Sequence, residues 1–154
     1  MESYMNRISN TGIVPVVKIL EKEDAYPLAK ALLNGGIDVI EVTYRSEHAT
    51  SAIQTISEQL PDMLVGAGTV LSVEQAKEAV EAGAKFIITP GFNTKVVQWC
   101  LDHDVEVYPG VSTASEVEMA LSMGLTQLKF FPAESSGGAK KLKDLSAPYA
   151  NVHF

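Results

Sequence analysis

The hexapeptide GLTQLK at residues 124–129 repeats a pattern that occurs twice upstream, as GIDVIE at residues 36–41 and GAKFII at residues 83–88. In each copy, a glycine suited to ending a helix is followed by an apolar residue and then by a strand pattern. When the copies are aligned on the glycine, Glu41, Ile88 and Lys129 occupy the same position. The sequence therefore repeats one helix-to-strand unit.

Strand and helix patterns alternate along the whole chain. Strands are predicted at residues 13–17, 39–43, 64–69, 86–89, 105–108 and 128–132, and residues 151–154 look like the start of a seventh. The helices between them include one predicted to begin at the N-cap Ser46 and two that begin with capping boxes, at residues 72–75 and 113–116. Strand centres about 20 to 25 residues apart are typical of repeated βα units.

This alternation predicts an α/β fold, with residues 1–154 forming a single (β/α)8 TIM-barrel domain that lacks its last units. The 154 residues contain about six βα units and the start of strand seven. Because such barrels usually need about 200 residues or more, we expect the 154 residues to be a truncated form. A doubly wound open sheet is the alternative architecture.

Lys129 lies inside an otherwise apolar strand, LKFFP at residues 128–132. A buried ammonium group without a partner costs several kcal/mol, so the group pairs, reaches water, or loses its proton through a lowered pKa. A neutral amine in a cleft can attack a carbonyl carbon and form an imine. A lysine that extends to solvent or pairs with a carboxylate is the alternative interpretation.

The barrel hypothesis brings Lys129 together with an acid. Alternate strands of a barrel contribute the side chains of one interior layer, so Glu41 on strand two and Lys129 on strand six are expected to share a level and face each other. Strand alternation places Thr43 and Arg45 on the same side as Glu41, and Phe131 beside Lys129. An open sheet would give Glu41 and Lys129 no reason to converge.

Composition excludes several classes of function. The formal net charge is −7 and the isoelectric point is about 4.9, which argue against nucleic acid or an anionic membrane as the main partner. The single Cys100 excludes an intramolecular disulfide, and no signal-peptide pattern is present, so a cytoplasmic location is expected. The three histidines lack metal-ligand spacing, which disfavours a metal site.

Five motifs carry a family resemblance. They are EVTYR at 41–45, GAGTV at 66–70, TPG at 89–91, PGVST at 109–113 and LKFFPAE at 128–134. In this order they resemble the 2-keto-3-deoxy-6-phosphogluconate (KDPG) and 4-hydroxy-2-oxoglutarate (KHG) aldolases. The resemblance implies a class I aldolase that releases pyruvate and an aldehyde, glyceraldehyde 3-phosphate or glyoxylate, without a cofactor or metal. It also implies a homotrimer.

The resemblance further assigns roles to individual residues. Lys129 is expected to form the Schiff base with pyruvate, and Glu41 to act as the general acid and base. The residues expected to contact the bound keto acid are Arg45, Thr69, Phe131 and Pro90. A phosphate-binding segment is expected after strand seven, so no residue is assigned to it. The alternative hypothesis is a non-catalytic barrel fragment or assembly subunit that retains these residues.

Overall fold

The computed structural model describes residues 4–154 and contains one parallel sheet of six strands. The strands are β1 (Val16–Val17), β2 (Val39–Thr43), β3 (Leu64–Gly68), β4 (Phe86–Thr89), β5 (Glu106–Val111) and β6 (Lys129–Phe130). Every neighbouring pair is parallel. The strands lie side by side in the order in which they occur in the chain.

Helices connect the strands. They are α1 (Tyr4–Thr11), α2 (Ala25–Asn34), α3 (Ala49–Gln59), α4 (Val73–Glu81), α5 (Thr94–Asp102), α6 (Ala114–Ser122) and α7 (Gly138–Ser146), and a 3-10 turn at Lys22–Asp24 precedes α2. A strand order without reversal is that of a barrel and not of a doubly wound sheet, in which the order reverses at a switch point. The predicted TIM-barrel class is confirmed.

The strand register explains why the aligned residues of the repeat meet. Glu41 pairs with Gly66, Gly66 with Phe86, and Phe86 with Glu106. Lys129, however, pairs with Gly110, four residues beyond Glu106. An eight-stranded barrel with a shear of 8 advances each layer by about one residue per strand, which amounts to four residues between β2 and β6. Glu41 and Lys129 therefore occupy one interior layer, as predicted.

The core has two sides. The outer side, between the sheet and the helices, contains Ile40, Val42, Val65, Ala67 and Ile87, all buried. The inner side contains an apolar cluster made by alternate residues of the same strands: Val39, Leu64, Phe86, Ile88 and Tyr108. Because Glu41 has the parity of Val39, its carboxyl group belongs to the inner side.

Helix α1 was not predicted from the sequence, and it packs against the inner cluster through Tyr4, Met5 and Ile8. Arg7 on this helix donates from Nε to the Asp38 carboxylate at 2.7 Å, and Nη2 donates to the backbone carbonyls of Asp38 and Asp62. Asp38 and Asp62 precede β2 and β3, so α1 covers the amino-terminal ends of the strands. The opposite, carboxyl-terminal ends are left for a functional site.

Four local predictions need correction, two of them at the end of the chain. Ser46 is not the N-cap of α3, because the helix begins at Ala49 with His48 at the cap position, and the buried Ser46 hydroxyl has no hydrogen-bond partner among the described residues. Strand β5 continues through the predicted stop at residues 109–110 to Val111, since a proline removes only one ladder hydrogen bond.

At the end of the chain, the predicted start of a seventh strand is a single parallel bridge between Gln127 and His153. The predicted sixth strand is also shorter than expected, since β6 covers only Lys129–Phe130 and is half-buried. A short strand with few ladder hydrogen bonds depends on its neighbours for its position.

Candidate active site

Glu41 lies at the centre of the site, in the middle of β2. Its side chain is almost fully buried, with 2% of the residue exposed. The carboxyl group lies directly over Gly68 of β3, where a Cβ atom would be 1.9 Å from Oε1. Burial raises the pKa of Glu41, while the positive charges of Lys129 and Arg45 act in the opposite direction. A carboxyl group with a raised pKa is suited to both accepting and donating a proton.

Lys129 approaches Glu41 from β6. The distance from Lys129 Nζ to Glu41 Oε1 is 3.7 Å, and the lysine side chain is 28% exposed. This distance is that of an ion pair and is longer than a hydrogen bond, and Glu41 Oε1 accepts no hydrogen bond from the residues described. The amine therefore has a partner and also access to solvent, so a small molecule can reach it.

Phe131 provides an aromatic wall next to the amine. Lys129 Nζ lies 5.2 Å from the centroid of the Phe131 ring, within the range of a cation–π interaction. The residue is 43% exposed although its side chain is large and apolar. The prediction that Lys129 and Phe131 share a face is consistent with this contact.

Arg45 is held by a short chain of hydrogen bonds that begins at a buried hydroxyl. Thr43, which is fully buried, donates from Oγ1 to the carbonyl of Val17 at 2.7 Å. The same oxygen accepts from Arg45 Nε at 3.1 Å. This arrangement occupies Nε, and among residues 4–154 no hydrogen bond is made by the two terminal nitrogens of the guanidinium, the pair that can bind a carboxylate in bidentate fashion.

Thr69 immediately follows Gly68, the residue against which the Glu41 carboxyl packs. It has a φ of 55°, in the left-handed region. A β-branched residue rarely adopts this conformation, and such strain is concentrated at functional sites. Because β3 ends at Gly68 and Thr69 has a positive φ, strand alternation does not constrain the Thr69 side chain to the outer face of Val65 and Ala67.

Pro90 lies beside the strand that pairs with Lys129. Its carbonyl oxygen would be 2.2 Å from a Cβ atom at Gly110, and Gly110 is the register partner of Lys129. Gly110 therefore allows the loop after β4 to approach the backbone next to the amine. The side chain of Thr89 fixes this loop by donating to the carbonyl of Gly91 at 2.7 Å.

The structure thus joins Glu41, Lys129, Phe131 and Arg45 through direct contacts or charge. Thr69 follows β3, the strand next to that of Glu41, and Pro90 follows β4, two strands from Lys129. Two further polar residues near the mouth were missed as functional candidates: Asn93 and Gln75. The signal that could have found them is their position at the start of a helix, since Asn93 accepts from the backbone of residues 95 and 96 as the N-cap of α5.

Within residues 4–154, no group of three or more histidine, cysteine and acidic side chains is arranged to hold a metal ion. No helix in the same range is long and apolar enough to cross a bilayer. The buried Cys100 has its pKa raised to about 12 by burial, so it is not a nucleophile at neutral pH. Lys129, which lies next to the buried Glu41 carboxyl group and is partly exposed, is the candidate nucleophile of the site.

The fold and the site define a class: a parallel β/α barrel protein with a lysine and a buried carboxyl group in one interior layer, a pair suited to imine chemistry on a carbonyl compound. The family model for KDPG and KHG aldolases matches residues 4–154. The chain belongs to the KDPG and KHG aldolase family.

Individual relatives support this family assignment. The 2-dehydro-3-deoxy-phosphogluconate aldolase of Treponema pallidum is 46% identical over 154 residues, which are 100% of this chain and 73% of the relative. The KHG/KDPG aldolase of Escherichia coli is 43% identical over 148 residues, covering 96% of this chain and 70% of the relative.

A solved structure of KDPG aldolase from Legionella pneumophila superimposes with a TM-score of 0.89 at 42% sequence identity, covering 92% of this chain and 68% of that chain. In that crystal structure, pyruvate was captured at low pH as a covalent carbinolamine intermediate.

Proposed function

We propose that this protein is a class I Schiff-base aldolase that cleaves a 2-keto-3-deoxy-6-phospho-sugar acid, or 4-hydroxy-2-oxoglutarate, into pyruvate and an aldehyde. The aldehyde is glyceraldehyde 3-phosphate or glyoxylate, respectively. The observation that carries the proposal is the 3.7 Å approach of Lys129 Nζ to the buried carboxyl of Glu41. Family membership and the pyruvate carbinolamine of the Legionella relative support the same chemistry.

The reaction begins at the amine. Lys129 in its neutral form attacks the C2 ketone of the keto acid, and the resulting carbinolamine loses water to give an iminium ion. Glu41 supplies the proton that converts the carbinolamine hydroxyl into a leaving water. A carboxyl group whose pKa is raised by burial retains a proton for this purpose at a pH where a solvated glutamate has lost it.

Cleavage of the C3–C4 bond follows. Glu41, now a carboxylate, accepts the C4 hydroxyl proton, the C4–O bond becomes the carbonyl of the departing aldehyde, and the bonding electrons flow to the iminium nitrogen. The enamine of pyruvate that remains is protonated at C3 and then hydrolysed, which regenerates Lys129. No metal or organic cofactor enters any of these steps.

The substrate-binding roles follow from position. Arg45, oriented by Thr43, receives the keto-acid carboxylate as a bidentate pair, and Thr69 adds a hydroxyl from the neighbouring strand end. Phe131 covers the amine and excludes water from the imine. Pro90 lines the wall next to β5.

Borohydride reduction in the presence of pyruvate tests the proposal. We expect one covalent adduct, found by peptide mass spectrometry on Lys129, and no adduct without pyruvate. The exposed Lys85, Lys140 and Lys143 serve as internal controls for nonspecific reaction. A protein that remains unmodified, or is modified only at such surface lysines, would favour the alternative of a non-catalytic barrel fragment.

The wider setting of the protein is part of the proposal. The proposal gives residues 1–154 as a single β/α-barrel domain of about six βα units, in a cytoplasmic homotrimer that acts in carbohydrate metabolism of the Entner–Doudoroff type. Size-exclusion chromatography with light scattering measures the assembly directly. A monomer that still forms the pyruvate adduct would contradict the trimer and leave the aldolase assignment intact.

A further inference from the structure

The loop that follows β3 contains a strained residue at the site, and strain of this kind persists only when the surroundings determine the backbone on both sides. Thr69 has a φ of 55°. Before it, the carbonyl of Gly68 accepts from the amide of Tyr44 at 2.8 Å. After it, Val70 is fully buried and donates from its amide to the carbonyl of Ile88 at 3.3 Å.

Leu71 comes next. Because this residue is 57% exposed, side-chain packing does not fix its position. Its backbone groups are fixed instead. The amide of Leu71 donates to Gln75 Oε1 at 2.8 Å, and its carbonyl accepts from Asn93 Nδ2 at 3.0 Å. One side chain from α4 and one from the start of α5 therefore hold the backbone groups of a single exposed residue.

Asn93 performs two tasks with the two ends of one amide. Its Oδ1 accepts from the amides of Lys95 and Val96 and so caps α5. The remaining Nδ2 points away from the helix and reaches the loop of the neighbouring strand. A serine at this position would cap the helix equally well, so capping alone does not require an asparagine.

We propose that Asn93 and Gln75 are positioning residues that clamp the Leu71 backbone and thereby keep Thr69 in the conformation in which its hydroxyl meets the substrate carboxylate. The inference rests on the proposed function, since it gives Thr69 a keto-acid ligand. Neither residue touches the reacting atoms. Their effect is on binding and not on the chemical step.

Three variants separate the clamp from helix capping and from charge. Asn93→Ser keeps the cap and stays neutral but is too short to reach Leu71. Gln75→Met keeps the length of the side chain but removes the acceptor. Gln75→Glu is the matched control, because it retains an oxygen that accepts from the Leu71 amide.

The readout is the pyruvate concentration that gives half the maximal rate of borohydride inactivation. We expect it to rise about three- to tenfold in Asn93→Ser and Gln75→Met, the range expected for one neutral hydrogen bond. The maximal rate should stay within about twofold, and Gln75→Glu should resemble the wild type. A uniform loss of the maximal rate, or an unchanged half-saturation in folded variants, would overturn the inference.

Hydrogen exchange without pyruvate gives a second readout that needs no activity. Peptides that cover residues 69–71 should exchange faster in Asn93→Ser and in Gln75→Met than in the wild type, while Gln75→Glu should not differ. Unchanged exchange in both variants would show that the clamp does not hold the loop. A wild-type protein without a pyruvate adduct would count against the aldolase proposal, and the exchange result would still decide whether the clamp exists.

Discussion

At the scale of single residues, the site depends on one carboxyl group that water does not solvate. Glu41 is buried over Gly68 and is paired with Lys129 at a distance longer than a hydrogen bond. Burial outweighs the attraction of the nearby cations and raises its pKa. The protein therefore maintains an acid that is unfavourable for stability and favourable for proton transfer.

Replacing Glu41 with glutamine should lower kcat by about 10²- to 10⁴-fold, the usual contribution of a general acid and base. Glutamine keeps the size of the side chain but cannot transfer a proton. A coupled assay of pyruvate release measures the loss. Retention of more than half of the wild-type kcat would show that another group moves the proton.

The same substitution should increase the free energy of unfolding at neutral pH. A carboxyl group whose folded pKa is raised contributes stability below its unfolded pKa, and this contribution is lost as the pH rises through the folded pKa. Glutamine does not ionise, so the difference between variant and wild type should grow with pH over that range. Urea unfolding at a series of pH values, starting below 4.5, checks the direction. A variant less stable than the wild type at neutral pH would contradict it.

Thr43→Val should weaken the binding of pyruvate while leaving the fold intact. The two side chains have the same shape, but valine cannot donate to the Val17 carbonyl or accept from Arg45 Nε. We expect the KM for pyruvate in the aldol-addition direction to rise about tenfold, because the loss of a hydrogen bond to a charged group costs about 1.5 to 3 kcal/mol. Thr43→Ser, which keeps the hydroxyl, should bind almost as well as the wild type.

Among the secondary-structure elements, β3 supports the site because two of the three residues on its inner face, Gly66 and Gly68, are glycines. A Cβ atom at Gly66 would lie 2.0 Å from the Phe86 ring, and one at Gly68 would lie 1.9 Å from Glu41 Oε1. Both glycines therefore leave room for a neighbour that belongs to the inner core or to the site.

Gly68→Ala should displace the Glu41 carboxyl group and lower kcat by at least about tenfold, because a displacement of about 1 Å in a catalytic group costs orders of magnitude in rate. Gly35→Ala is the control, since its Cβ would meet no atom closer than 3.4 Å and the position lies at the end of α2. Equal activity of the two variants would show that the carboxyl group can move aside without consequence.

Helix α6 begins with the complete capping box that the sequence predicts. Thr113 Oγ1 accepts from the Glu116 amide, and the Glu116 carboxylate accepts from the Thr113 amide. Thr113→Ala should lower the free energy of unfolding by about 1 kcal/mol, as is typical for the loss of an N-cap. Urea unfolding measures this change, and an unchanged midpoint would show that α6 is held by packing alone.

In the molecule as a whole, the amino-terminal ends of the strands are covered by a helix, and the carboxyl-terminal ends carry the candidate active site. Helix α1 covers the amino-terminal ends, and its Arg7 joins residues that precede β2 and β3. The candidate active site occupies the carboxyl-terminal ends. Such a division separates stability from chemistry, so substitutions at one end should leave the other unaffected.

Arg7→Ala should lower the free energy of unfolding by about 1 kcal/mol, since the ion pair is partly exposed, and should leave pyruvate adduct formation on Lys129 unchanged. A hydrogen bond from Thr11, followed by Arg7, lowers the pKa of Asp38, although partial burial opposes them. Stability from a lowered carboxyl pKa is present above the unfolded pKa and is lost as the pH falls through the folded pKa. The destabilisation should therefore shrink below about pH 4, which unfolding at two pH values tests.

Much of the fold could be predicted from the sequence because it is local and repeated. The glycine-led repeat predicts the strands and their barrel order, and motif resemblance predicts the family; both are confirmed. The site roles of Lys129, Glu41, Arg45, Thr69, Phe131 and Pro90 remain predictions. What failed was local: a serine assigned as the N-cap of α3, and an amino-terminal helix of eight residues that the sequence analysis did not predict.

Strand alternation and the repeat are properties of the amino-acid sequence, and they are enough to predict that Glu41 and Lys129 face inward at one level of the barrel. The 3.7 Å distance between Lys129 Nζ and Glu41 Oε1, the space that Gly68 leaves for the carboxyl group, and the hydrogen bonds from Asn93 and Gln75 to the Leu71 backbone become visible only in the folded molecule. These features depend on atoms from different strands and helices. The sequence pattern of one strand or helix does not predict where the side chains of the neighbouring elements lie.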